Sequence, residues 1–538
     1  MYQSELNYVS GNRAYLNQAP GDGINAVKHP LHIGDAEASL MYNLCSKSYP
    51  SLSTRPVRQQ FKDLTTPLNR KTFKVWVSQE NEDRKPTIFE IVRDPLLGVV
   101  WRAYFDADNG EDIDVISREP SEVAYPYWQM EHFNTGTDKY VICCGSSPNK
   151  SDKGVHWMYR GGHGVVLFDE SKLEYCHSPV AHKNRLFWAR GNQLIFSALN
   201  NITDYTTVND AGIITIAQAK GDITALVSFN NALIVFTSSE IYYLMGSTPT
   251  EYADTYSIVK VEGGVGCRSR EEICVTNKRV YWMAHDGIYE MSAGGSPVKI
   301  SEPFYNYGQL ANGVTGGIRS YLYGNNSIVA PDVMYTLVGY NERLFVIPRV
   351  WKNSSIPSEG FKPSGDYYYV FDINYRKWHI EKNNGYFTAS SAYEIKHLDY
   401  NNLFLADNEK IITTWGYKSP IRIAVNDPPD FEFVSKMFYE GNISQDCTLD
   451  EIWIYCDLYS GSFQVHLITG DEEITLLAKE TNESTLTDTV TAGDESFRML
   501  RYIVPEGVKP KGCYQIAISG IADLQIHLIE RHIRKIGD

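Results

Sequence analysis

The strongest constraint on this chain is an internal repeat. KNRLFWARGNQLIFSA from Lys183, NNALIVFTSSEIYYLM from Asn230 and NKRVYWMAHDGIYEMS from Asn277 align without gaps, with Leu186, Leu233 and Val280 equivalent and successive copies 47 residues apart. Each copy reads as a turn carrying Asn or Lys, a short apolar strand, a polar turn and a second strand of aromatic and aliphatic residues. The polar turns are Arg190-Gly191-Asn192, Ser238-Ser239 and His285-Asp286-Gly287. A period in the mid-forties is the length of a four-stranded propeller blade. Such a blade cannot bury both faces of its sheet alone, and a closed ring both completes the core and protects the strand edges.

Fainter copies start at Gly154 (GVHWMYRGGHGVVLFD), Asn341 (NERLFVIP), Tyr367 (YYYVFDINYRKWHIE) and Asn401 (NNLFLADNEKIITTW), separated by Gly-, Asn- and Ser-rich loops at 305–327 and 352–366. The 538 residues include 37 Tyr, 21 Phe and 10 Trp, types that favour half-buried pleated strands. The expected fold is all-β: an irregular β-propeller of six or seven blades over 61–428, where TFKVWV at Thr72 and VVWRAYF at Val99 supply early strands. Residues 1–60, punctuated by Gly, Pro and Asn without sustained periodicity, read as an extended N-terminal arm that binds a neighbour. Beyond the NDPPDFEF stretch, period-two alternation (Ile452, Ile454, Cys456; Phe463, Val465, Leu467; Leu524, Ile526, Leu528) predicts short strands in a C-terminal β-sandwich over 429–538. The breaks between those strands are placed at Ser460-Gly461, Gly470-Asp471 and Ser519-Gly520.

Charge and cysteine usage narrow the function classes. Sixty-five acidic against fifty basic residues give a formal charge of −15, which argues against a protein that coats nucleic acid by neutralising phosphates. Nine cysteines without regular spacing suit thiols in a reducing cytosol. Apolar runs such as Ala232 to Phe236 fall far short of the ~20 residues of a membrane helix, and MYQSELNYVSGNR has no signal-peptide pattern, so neither membrane insertion nor Sec export is expected.

Chemical motifs are sparse. There is no P-loop, HExxH or GxSxG, and Gly264-Val265-Gly266 reads as a turn between blades. Cys176, His177 and His182 have no CxxC pair to complete a tetrahedral metal site, and adjacent Cys143 and Cys144 point to opposite faces of a strand. Asp152 to Trp157 resembles part of an Asp-box, which is a turn and not a catalytic element. Arg185, Phe187, Trp188 and Arg190, like Tyr375 to Trp378, pair aromatics with cations, but alternation assigns the aromatics to a buried face. No catalytic, cofactor-binding or metal-binding residue is expected, and no enzyme. The residues singled out are structural signatures of turns and blades: Asn184, Leu186, Asn231, Leu233, Gly263, Gly264, Gly266, Val280, Asp286 and Gly287.

The ordered segments NRLFWARGNQLIFSALNNITDY from Asn184, GDITALVSFNNALIVFTSSEIYYLMG from Gly221 and GGVGCRSREEICVTNKRVYWMAHDGIYEM from Gly263 resemble the propeller of packaged-DNA stabilisation, or tail hub and nozzle, proteins of short-tailed bacteriophages. CYQIAISGIADLQIHLIERHIRKIGD from Cys513 resembles their closing strands. The resemblance implies a structural virion protein of the tail, assembled in the host cytoplasm as a homo-hexameric ring below the portal and its adaptor. In that role it contacts other tail proteins, extends and closes the DNA exit channel, retains the packaged genome, and lets DNA pass on ejection without sequence specificity. The alternatives are a receptor- or glycan-binding propeller of the virion, or a glycosidase.

Overall fold

The computed structural model describes residues 7–536 except 10–12, 26–27, 57, 64–70, 79–86, 95–97, 105–112, 120–126, 147–152, 161–163, 168–169, 208–209, 247–255, 303–332, 341, 351–366, 383–390, 395–402, 407–409, 415–427, 440–445, 471, 481–485 and 509–512. The chain is all-β and contains a β-propeller. Its described helical content is one four-residue helix, Glu170–Leu173, and short 3-10 turns. Seven four-stranded antiparallel sheets follow one another along the described chain. The first is built from Lys71–Ser78, Thr87–Asp94, Gly98–Tyr104 and Ile113–Glu119, and the second from Tyr127–Asn134, Lys139–Ser146, Val155–Arg160 and Gly164–Leu167. The three repeat copies lie in the third (His177–His182, Arg185–Arg190, Gln193–Phe196, Gly212–Thr215), fourth (Ile223–Phe229, Ala232–Thr237, Ile241–Met245, Ser257–Lys260) and fifth (Ile273–Thr276, Arg279–Ala284, Gly287–Ser292, Val298–Lys299) sheets. Val333–Tyr340, Arg343–Val350, Tyr367–Asp372 and Lys377–Lys382 form the sixth. The seventh takes Ser391–Glu394, Leu403–Ala406 and Lys410–Thr414, and its fourth strand, Arg58–Asp63, comes from the N-terminal region.

The repeat has a direct physical expression. Its first hairpin turn holds two consecutive residues at positive φ in all three copies: Lys183 (48°) and Asn184 (60°), Asn230 (45°) and Asn231 (66°), Asn277 (48°) and Lys278 (58°). That pair of left-handed residues is the signature of a type I′ turn, whose twist matches the flanking strands, and Asn tolerates it better than most residues. Period-two alternation then sends neighbouring residues into different inter-sheet cores. Leu186 packs with Ile142, Cys144 and Met158 of the second sheet, while Phe187 packs with Leu226 and Val235 of the fourth. Leu233 packs back onto the third sheet while Ile234 turns toward the fifth, and Val280 packs back onto the fourth while Tyr281 joins the sixth. The equivalent apolar position thus always faces the preceding sheet.

The C-terminal region differs from the expected sandwich of short strands. Its seven described strands join five from the N-terminal residues in one connected twelve-stranded sheet. Two long strands, Asp446–Thr469 of 24 residues and Gln515–Ile536 of 22, pair antiparallel along their length, from Asp446↔Ile536 to Ile468↔Gln515. The predicted breaks at Ser460-Gly461 and Ser519-Gly520 fall inside these continuous strands, with a register shift between Leu458 and Ser460. Gly461 (φ +80°) and Gly520 sit where the backbones pinch: a Cβ on Gly461 would lie 2.0 Å from the Ile521 carbonyl oxygen, and one on Gly520 2.3 Å from that of Ser462. Glycine inside a strand marks a bulge or a close backbone approach at least as readily as a turn.

The N-terminal residues are also placed differently from a free arm. Arg13–Gln18 pairs with Gln515–Ile536, Ala38–Tyr42 with Asp430–Ser435, and Leu52–Thr54 with Gln525 and Ile526. The same segment grips the sixth sheet: Ile24 N–H donates to the Trp378 carbonyl (3.0 Å) and Asn43 N–H to that of Ile380 (2.9 Å). One hydrophobic cluster runs from Tyr281 and Met283 through Tyr335, Phe371 and Trp378 to Phe433, Ile454 and Ile518, joining the propeller to the C-terminal sheet.

Candidate functional site

The described residues concentrate polar chemistry on the propeller axis. The connection entering the fifth sheet does not go straight to its strand. It makes a 3-10 turn, Arg270–Glu272, capped by Ser269 Oγ accepting from Glu271 N–H, and this turn contacts the first strands of the second, fourth and sixth sheets. It therefore lies on the axis as a plug.

Side chains knit the plug to the surrounding strands. Trp128 N–H donates to Glu271 Oε1 (3.1 Å), and Tyr335 N–H donates to Glu272 Oε1 (3.3 Å), whose carboxylate is ion-paired with Arg268. A relay then passes between sheets: Gln129 Nε2 donates to Ser178 Oγ (3.5 Å), Ser178 Oγ to the Thr224 carbonyl (3.3 Å), and Thr224 Oγ1 to the Cys267 carbonyl (2.6 Å). Beside the plug, Gln129, Glu131, Pro179, Arg270, Glu271 and Thr336 line a small cavity. Burial pushes the Glu131 carboxyl up to about 7, a shift opposed by Arg270 and by backbone N–H groups of His132 and Ala181. The arrangement can hold or release one proton near neutrality while stapling five sheets, the second to the sixth, together.

The turn and blade residues named from sequence are scattered through the sheets and do not converge on one point. Asn184 and Asn231 occupy the exposed type I′ turns, and Leu186, Leu233 and Val280 are fully buried. Gly263 (φ +67°) is in a turn closed by Gly264 N–H to the Val261 carbonyl at 3.3 Å. Gly266 is where the inter-sheet connection passes over the Thr237–Glu240 turn: a Cβ there would lie 2.1 Å from the Thr237 carbonyl oxygen and 2.3 Å from Ser239 N. Asp286 Oδ2 accepts from Tyr289 OH (2.8 Å), and Gly287 has φ +143°. The axial plug was missed in the sequence because SREE carries no periodic or motif signal; a polar run wedged between Gly266 and the apolar strand at Ile273 is the cue that was there to read.

The other sequence candidates are structural where they are described. Cys143 and Cys144 do enter different cores. His156 sends Nε2 to the Cys176 carbonyl at 2.8 Å, and His182 Nδ1 meets Ser228 Oγ at 2.8 Å, so neither of these two imidazoles lies on the surface. Burial lowers the pKa of His177 and His182 to about 4, which keeps them neutral. Among the described residues no group of three or more His, Cys, Asp or Glu converges as metal ligands would. Phe187, Trp188 and Trp378 are buried, Arg185 is 1% exposed and bonded to the Ser197 and Asp210 carbonyls, and Arg376 is paired with Glu290. Tyr375 departs from the expected buried face: it is 43% exposed, with its ring stacked on Tyr49 at 4.5 Å. Asp152 of the Asp-box-like stretch and the loops at 305–327 and 352–366 lie outside the described residues. No protein-family model matches the chain, and no curated protein matches it either.

Proposed function

We propose that this chain is a structural component of a short-tailed phage tail, a hub or nozzle protein that extends and closes the DNA exit channel. The observation that carries the reading is the order of the resembling segments, which run consecutively through the third, fourth and fifth sheets, together with the resembling stretch from Cys513 that supplies the long strand on which both chain ends are anchored. In this reading the seven four-stranded sheets are the blades of one ring: first strands of successive sheets touch at each step, the seventh returning to the first, except from the fourth to the fifth, where the 3-10 turn Arg270–Glu272 meets the first strand of the fourth. The axis of each propeller carries a plug, so DNA passes between copies and not through the blades. A formal charge of −15 per copy gives that passage a wall that does not grip phosphates.

The test is native mass measurement and electron imaging of the purified full chain with portal and adaptor proteins, alongside antibody labelling of virions. Six copies per ring and label at the tail are the expected results. A stoichiometry unrelated to six or twelve, or label absent from particles, would overturn the reading. Binding to host envelope fractions without tail incorporation would favour the receptor-binding alternative.

A further inference from the structure

Two clusters among the described residues bring together a serine, a histidine and an aspartate, and they are wired differently. In the first, Ser46 Oγ donates to Asp372 Oδ2 (2.9 Å) and also meets His379 Nε2 (3.0 Å), while Asp372 is paired with Arg343. Ser46 and His379 are fully buried, so no substrate reaches them, and the aspartate holds the serine and not the imidazole. This cluster is a clamp between the N-terminal segment and the sixth sheet.

The second cluster runs in relay order. His527 Nε2 lies 3.0 Å from Asp457 Oδ2, and His527 Nδ1 lies 3.1 Å from Ser51 Oγ. An ionised carboxylate only accepts, so Asp457 takes the Nε2 proton and leaves a lone pair on Nδ1. Gln525 Nε2, a donor, stands 3.4 Å from the same Nδ1, which agrees with that tautomer. The serine hydroxyl therefore donates to the nitrogen able to receive its proton. Either imidazole nitrogen can serve as the base, provided the other is held by the acid. Ser51 is 9% exposed, against none for Ser46, and the side chains of His527 and Asp457 are 31% and 21% exposed, so this cluster reaches solvent on its imidazole side.

The fold explains the convergence. Asp457 is paired with Gln525 on one side and Phe497 on the other, which places all three on one face of the C-terminal sheet. Ser51 comes from the N-terminal segment, one residue before the Leu52–Thr54 strand that pairs with Gln525 and Ile526. Phe497, 57% exposed with its ring 6.4 Å from the imidazole, offers apolar surface for a short acyl chain.

We propose that Ser51 is an activated nucleophile that accepts acyl groups from small carboxylic esters, with His527 as its base. Ser51 Oγ forms a bond to the carbonyl carbon as its proton passes to His527 Nδ1. The ester C–O bond then breaks, and the departing alkoxide takes that proton. Water, deprotonated by the same nitrogen, hydrolyses the acyl-serine, releasing the acid and restoring the serine proton. The inference is independent of the tail reading.

The full chain is treated with a fluorophosphonate probe, which forms an Oγ–P bond as P–F breaks, and the adduct is mapped by peptide mass; p-nitrophenyl acetate turnover is followed in parallel. One adduct per chain on Ser51 is expected, absent in Ser51→Ala, with labelling slowed about 100-fold in His527→Gln at an unchanged melting temperature. A folded wild-type chain that takes no adduct, or takes it equally in Ser51→Ala, overturns the proposal. Should His527→Gln fail to fold, the wild-type map decides alone.

Discussion

Glu131 occupies a cavity beside the axial plug, and its carboxyl, pushed up to about 7 by burial, holds its proton more tightly in the folded chain than in the unfolded one. Its effect on stability is therefore neutral below the ordinary carboxylate range and unfavourable as pH rises through 7, by up to about 3 kcal/mol. Glu131→Gln should melt with the wild type at pH 4 and above it at pH 8; equal melting at both values would show that the carboxylate is solvated. Gly266 gives the opposite kind of test. Its missing Cβ is what allows the connection to cross the Thr237 carbonyl, so Gly266→Ala should destabilise by about 3 kcal/mol, read by denaturant titration. Gly287→Val should cost at least about 2 kcal/mol, because its Cβ would meet Ser301 Oγ at 2.4 Å and φ is +143°.

At the level of elements, the type I′ turns offer a graded prediction. Asn231→Gly should leave stability unchanged or raise it slightly, whereas Asn231→Val should lower it by about 1 to 2 kcal/mol, since a β-branched residue pays for positive φ. A thermal-shift series across Asn184 and Asn231 would check that both turns respond alike. These hairpins were legible because turn chemistry and strand alternation are local. Leu186, Leu233 and Val280 stand at equivalent positions of the repeat, and each packs against the preceding sheet. The C-terminal sheet was less legible. Gly461 and Gly520 look like turn residues in a one-dimensional reading, and only the pairing of Asp446–Thr469 with Gln515–Ile536 reveals them as facing pinch points. The partners of the axial plug and the Ser51–His527–Asp457 cluster were not legible for the same reason: each joins residues far apart in the chain through contacts that no periodicity encodes.

For the molecule as a whole, the N-terminal segment is the bond between its two parts. Deleting residues 1–56 would strip the strands Arg13–Gln18, Ala38–Tyr42 and Leu52–Thr54 from the C-terminal sheet and uncover the cluster around Trp378 and Phe433, while leaving Arg58–Asp63 to complete the seventh sheet. The truncated chain should bind a hydrophobic dye and lose cooperative melting of the C-terminal sheet; a single sharp transition without dye binding would show the segment to be dispensable. Its pairing also dictates a timetable on the ribosome. Arg58–Asp63 finds its partner only after Lys410–Thr414 has been made, and Arg13–Gln18 waits for residues 529–534. At about 5–20 residues per second, the opening strands spend roughly half a minute to two minutes without their partner. The nascent chain therefore presents Arg13–Gln18 unpaired until Gln515–Ile536 has been made, and the synthesis of that strand decides when the molecule closes.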